Sequence, residues 1–120
     1  MRLRLLPRAE EDLHAIGEYI SDDNPDRARS FVLELRERCV AIADAPKACA
    51  QRPDLGKDLR CCPHGNYLVF YRVGAQEVQI VRILHAARDL QDLARHGNLN
   101  EPRAHYAVSP FEALGFLRVA

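Results

Sequence analysis

At 120 residues, with 48% hydrophobic and 28% charged side chains, the chain has the size of one soluble domain whose core needs no staples. Seventeen basic residues balance seventeen acidic ones, so no net charge draws in nucleic acid, and autonomous nucleic-acid binding is not expected. No apolar run approaches the about 20 residues that cross a bilayer, and the first six residues are too short for a signal peptide's apolar stretch, which points to a cytoplasmic protein without membrane contact.

Charge is nevertheless uneven. Residues 1–45 carry seven Arg and ten Asp or Glu, net −3, whereas residues 46–88 carry seven Lys or Arg and three acids, net +4. Such an imbalance fits an acidic partner at the basic half, and equally an ordinary solvated surface. Cys39, Cys49, Cys61 and Cys62 form no C-x-x-C pair and accompany no secretory signal, so buried or idle thiols are expected and disulfides are not. Adjacent Cys61 and Cys62 on a strand point to opposite faces. The spacing of Cys49, Cys62 and His64 matches no common zinc pattern, and no metal or other cofactor is expected.

In chain order, Met1 to Leu6 alternates apolar and basic residues and reads as a short strand stopped by Pro7. Glu10, Glu11 and Asp12 then favour the positive end of a helix dipole, and Ala9, Leu13, Ile16 and Ile20 recur at helical spacing, predicting a helix from about Arg8 to Ser21. Asn24 is placed to cap a second helix with Pro25 at its first position. Ala28, Val32, Leu35, Cys39 and Ile42 carry that helix to about Ala45, where Pro46 breaks it, giving an antiparallel helical hairpin.

From Pro46 to Lys57 the helical period vanishes, and Pro46, Pro53 and Gly56 mark a loop. Three strands follow, beginning at Leu59, Tyr67 and Ile80, separated by Pro63-His64-Gly65-Asn66 and Gly74-Ala75-Gln76, and predicting an antiparallel meander. The expected class is α+β: an N-terminal strand, and a helical hairpin packed on an antiparallel three- to four-stranded sheet. Asp89, Leu90, Leu93 and Ala94 suggest a further turn or two of helix ended by Gly97. Residues 97–120 read as an extension in which Ser109 is placed to cap a short final helix.

Three motifs carry a resemblance. Leu13-His14-Ala15-Ile16-Gly17-Glu18-Tyr19-Ile20, Leu55-Gly56-Lys57-Asp58-Leu59-Arg60 and His85-Ala86-Ala87-Arg88-Asp89 occur in this order along residues 1–96, which resembles the ParE-type toxins of the ParE/RelE toxin–antitoxin superfamily. The resemblance implies a toxin that inhibits DNA gyrase by binding, forms a hetero-oligomer with a ParD-like antitoxin, and has no catalysis of its own. It also implies that the antitoxin lays an amphipathic helix along the helical hairpin and adds extended backbone at a sheet edge. Arg60, Arg72, Arg82 and Arg88 are then candidates to anchor its carboxylates, because guanidinium pairs bidentately with carboxylate.

The superfamily's other branch cuts messenger RNA on the ribosome, which requires charge stabilisation of a phosphorane together with an acid and a base. Where that branch carries arginines after the Tyr of the second strand and after the third strand's end, this chain has Leu68 and Ala86. His85 with Arg82 or Arg88 remains the alternative catalytic set, although His85 and the Arg88-Asp89 pair read first as structural. Tyr67 and Tyr71 share one strand face, and core packing outweighs base stacking as their role.

Overall fold

The computed structural model describes residues 1–90, so the extension expected over residues 97–120, the expected boundary at residue 96 and the helical turns expected at Leu93 and Ala94 lie outside the described residues. Strand β1 (Arg2–Leu5) leads into helix α1 (Pro7–Ser21), then α2 (Pro25–Asp44), β2 (Leu59–His64), β3 (Tyr67–Val73) and β4 (Glu77–His85). Pro7 and Pro25 both sit at helix starts, where the missing N–H has no intrahelical partner to lose. Asn24 Oδ1 accepts from Arg27 N at 3.1 Å, the expected cap.

The sheet order is β1-β4-β3-β2. β2, β3 and β4 form the expected antiparallel meander, with Gly65 at φ +58° in the first turn, a conformation glycine adopts without strain. β1 joins in parallel beside β4, so the sheet is mixed where all-antiparallel pairing was expected. The reason is connectivity: the helical hairpin returns the chain so that β4 runs beside β1 in the same direction.

Both helices lie on one face. Ala9, Leu13 and Ile16 of α1 and Phe31, Leu35, Cys39 and Ile42 of α2 pack on Tyr67, Val69, Tyr71, Val78, Ile80 and Ile83. A fully buried leucine such as Leu13 or Leu35 contributes about 1.5–3 kcal/mol of transfer free energy. Leu59, Phe70, Val81 and Leu84 form a second core on the opposite face, covered by Leu55 and Leu90. A bulge between Phe70 and Tyr71, opposite Ile80 and Arg82, lets Ile80 and Ile83 face the helices although they are three residues apart.

Contrary to the expectation of buried or idle thiols, two of the four cysteines are paired. Cys49 and Cys62 form a disulfide with Cα atoms 5.5 Å apart, while Cys39 and Cys61 are free. The chain after α2 doubles back along β2, which a spacing of 13 residues does not reveal. Cys61 and Cys62 do face opposite sides, Cys62 in the helix-side core and Cys61 against the other.

Candidate functional site

The outer face of the helical hairpin is shaped by glycine. A Cβ at Gly17 would lie 3.3 Å from Val32 Cγ2, so α1 and α2 approach closely there. Beside that crossing runs a groove of about 1170 Å³, lined by Leu13, Gly17, Ala28, Val32 and Leu33 with Glu10, Glu18, Arg29 and Arg36 among its charged residues. Arg36 Nη2 donates to Glu10 Oε1 at 3.0 Å and ties the helices together. Leu33 on this face is 60% exposed, and Val40, two turns further along α2, is 53% exposed. An apolar groove with charged margins suits the apolar face of an amphipathic helix.

A second cluster forms where β2 and β4 end and β3 begins. Tyr67 lies between Phe31, at 5.6 Å between ring centroids, and His85, edge-on at 5.2 Å. His64 packs on Phe31 and approaches Glu34 Oε1 at 3.2 Å through Nε2. Arg27 Nη1 donates to Glu34 Oε2 at 2.7 Å, and Arg27 and His64 together hold the Glu34 carboxyl below its ordinary range. The Arg88 guanidinium, about half exposed, lies 5.1 Å from the ring centre of the exposed Tyr19, a cation–π geometry.

His85 and Asp89 close the entry to the last helix reciprocally. His85 Nδ1 accepts from Ala87 N at 3.3 Å and Arg88 N at 3.1 Å, while Asp89 Oδ2 accepts from His85 N at 2.8 Å. This has the logic of a capping box, each side chain satisfying a backbone donor of the helix's first turn. The acceptor role of Nδ1 assigns the neutral ring's proton to Nε2. In the His-x-x-Arg-Asp motif, His85 and Asp89 thus both bond backbone amides at a helix start.

The four sequence-selected arginines have different neighbours. Arg60 Nη1 donates to Cys49 O at 2.6 Å, and Arg72 Nη2 donates to Gln79 Oε1 at 3.2 Å. Arg82, whose side chain is only 15% exposed, pairs through Nε and Nη2 with both oxygens of Asp12 at 2.8 and 3.0 Å. Arg88 alone of the four is exposed, and it lies beside Tyr19. Leu68 packs into the second core, and Ala86 N donates to Asn66 O at 2.8 Å, so an aliphatic side chain and a methyl stand where the ribonuclease branch carries cations.

Asp12 does more than place a carboxylate in the N-terminal half of α1. It also accepts from Ile83 N at 2.9 Å, taking the place of a strand partner where β1 has ended beside β4. Burial pushes its carboxyl above the ordinary value, with Arg82 and the Ile83 amide opposing. A sequence signal existed: Asp12 lies three residues after Ala9 on the buried stripe, and Arg82 interrupts an apolar strand, so two misplaced charges imply each other. Among the described residues no group of His, Cys, Asp and Glu is arranged to hold a metal ion, and no helix is long and apolar enough to cross a membrane.

A helical hairpin on one face of a four-stranded sheet, with a capped helical turn at residues 88–90 following β4, is the α+β arrangement that the resemblance to the ParE/RelE toxins implies. Residues 3–90 match the family described as ParE toxin of type II toxin-antitoxin system, parDE. The chain is 35% identical over 83 residues to Toxin ParE1 of Caulobacter vibrioides, covering 68% of this chain and 85% of that protein. It is also 35% identical over 81 residues to Toxin RelE2 of the same organism, covering 68% and 90%. A solved structure titled "Chromosomal ParDE TA system from P. aeruginosa" superposes with a TM-score of 0.64 at 25% identity, covering 71% of this chain and 95% of that one. The chain belongs to the ParE toxin family of type II toxin–antitoxin systems.

Proposed function

We propose that this toxin acts in the cytoplasm by binding DNA gyrase, without catalysis or a cofactor of its own, and that a ParD-like antitoxin silences it by laying an amphipathic helix in the α1–α2 groove. The observation that carries the partner reading is the groove itself, with Gly17, Ala28 and the exposed Leu33 among its lining. Binding there yields a hetero-oligomer of toxin and antitoxin. Arg60, Arg72, Arg82 and Arg88 remain the proposed anchors for antitoxin carboxylates, and Arg88 is the best placed of them because its guanidinium reaches solvent. Arg82 contributes by holding Asp12 and the β4 edge in place.

The alternative is a ribosome-dependent messenger RNA endoribonuclease using His85 with Arg82 or Arg88. The relative bearing a RelE name keeps that reading in view. Against it, the Nδ1 lone pair of His85 is already directed at two backbone amides, and Arg82 is held by Asp12. Primer extension on cellular transcripts after brief expression separates the two, alongside supercoiling by purified gyrase. Intact transcripts, blocked supercoiling and filamentous cells are the expected outcome. In-codon cuts that disappear in His85→Ala establish the nuclease instead.

A further inference from the structure

Between α2 and β2 the chain does not cross open solvent. Residues 46–52 run back along the outer edge of β2: Cys61 N donates to Ala50 O at 3.1 Å, Arg52 N donates to Leu59 O at 2.7 Å, and Gln51 bridges Arg60 in antiparallel sense. Side chains reinforce the seam, since Arg60 Nη1 donates to Cys49 O and the Tyr71 hydroxyl donates to Pro46 O at 2.7 Å. One covalent bond, Cys49–Cys62, fastens this strap to β2. Its two ends differ in access: Cys62 is 2% exposed, whereas Cys49 is half-buried.

In a protein expected to work in a reducing compartment, a bond of this kind is more often a reversible device than a permanent staple. We propose that Cys49–Cys62 is a redox-operated clasp whose reduction by a low-molecular-weight thiol releases residues 46–52, uncovering the backbone edge of β2 at Leu59 and Cys61 and freeing the Arg60 guanidinium from Cys49 O. The chemistry is thiol–disulfide exchange. A thiolate attacks the sulfur of Cys49, the less buried end of the bond, the Cys49–Cys62 bond breaks, and Cys62 departs as a thiolate that takes up a proton. A second thiolate attacks the reductant's sulfur in the mixed disulfide and expels Cys49, which is protonated in turn. Two thiols become one disulfide while the protein gains two electrons and two protons. Oxidation by the corresponding disulfide runs the same steps backwards and closes the strap.

The neighbouring cysteines leave that exchange undisturbed. Burial pushes the Cys39 thiol up to about 11 and raises Cys61 as well, so both stay protonated near neutrality and compete poorly as internal attackers. The clasp stands whether or not the antitoxin reading holds, because it concerns the toxin chain by itself.

The test uses the full chain equilibrated with glutathione disulfide or with excess glutathione, followed by amide hydrogen exchange resolved to residues 50–61. The expected result is two alkylatable thiols per denatured oxidised chain and four per reduced chain. The amides of Arg52 and Cys61 should exchange at least tenfold faster in the reduced protein, with α1 and β3 unchanged. Cys49→Ser should exchange like the reduced protein in both buffers, and reduced wild type makes the same comparison should that variant fold poorly. Four thiols under glutathione disulfide, equal exchange at Arg52 and Cys61 in both states, or loosening that extends through α1 and β3 would each overturn the clasp.

Discussion

Asp12 and Arg82 bring two charges into a place where water is scarce, one from the first helix and one from the last strand. A pair of this kind gives modest net stability when intact and is costly when half-removed, because the surviving charge keeps its burial and loses its partner. Arg82→Ala is therefore expected to destabilise the fold by about 3–5 kcal/mol in urea unfolding. Asp12→Asn combined with Arg82→Met keeps an acceptor for Ile83 N and should recover most of that loss; a double variant no more stable than Arg82→Ala would refute the pairing account. His85 is the second telling residue. His85→Ala removes the acceptor for two first-turn amides and should cost about 1 kcal/mol, as other helix caps do, while growth arrest on expression persists. Of these features, the sequence offered a structural reading of His85 because it precedes a helix, although the cap was expected of Asp89 and the two backbone donors to Nδ1 were not foreseen. The role of Asp12 was not legible, since an acid near a helix start satisfies the dipole argument and invites no further question.

At the scale of elements, the helical hairpin was readable to within a residue or so because Pro7, Asn24, Pro25 and Pro46 punctuate it and its apolar stripes are regular. The meander was readable from turn chemistry. Hidden from sequence were the parallel seat of β1, the bulge near Arg82 and the strap on β2, all of which depend on pairing between distant segments that no local periodicity encodes. The groove follows from the hairpin's own packing and gives a prediction at this scale. Leu33 is already in water, so Leu33→Glu should shift unfolding by no more than about 0.5 kcal/mol. The same change places a carboxylate on the proposed docking face. Antitoxin co-expressed from the neighbouring reading frame should then fail to restore growth, although the variant stays as toxic as wild type. Full rescue of Leu33→Glu would remove the groove from the docking surface.

Across the whole molecule, acid halves and basic halves meet, and the network around Glu34 is where helix and sheet are tied by charge. Arg27 approaches Glu34 from two turns away on α2 and His64 approaches it from the end of β2, so one carboxylate links both layers. Its pKa is lowered in the folded chain, first by the Arg27 hydrogen bond and then by His64, from the ordinary 4.5. An acid with a depressed folded pKa binds protons more readily when unfolded, so its contribution is complete above 4.5 and is lost as pH falls through the folded value. Arg27 and Glu34 are exposed and His64 is half-buried, which places the effect at the small end of ion-pair energetics and makes it sensitive to salt. Urea midpoints measured from pH 6 to pH 3 should therefore fall more steeply for wild type than for Glu34→Gln, with the gap between them narrowing as pH drops below 4.5. Repeating the series in 1 M salt should flatten that difference, because the Debye length shrinks to about 3 Å. Parallel curves for the two proteins at low salt would mean that the Arg27–Glu34–His64 network contributes nothing to holding the hairpin against the sheet.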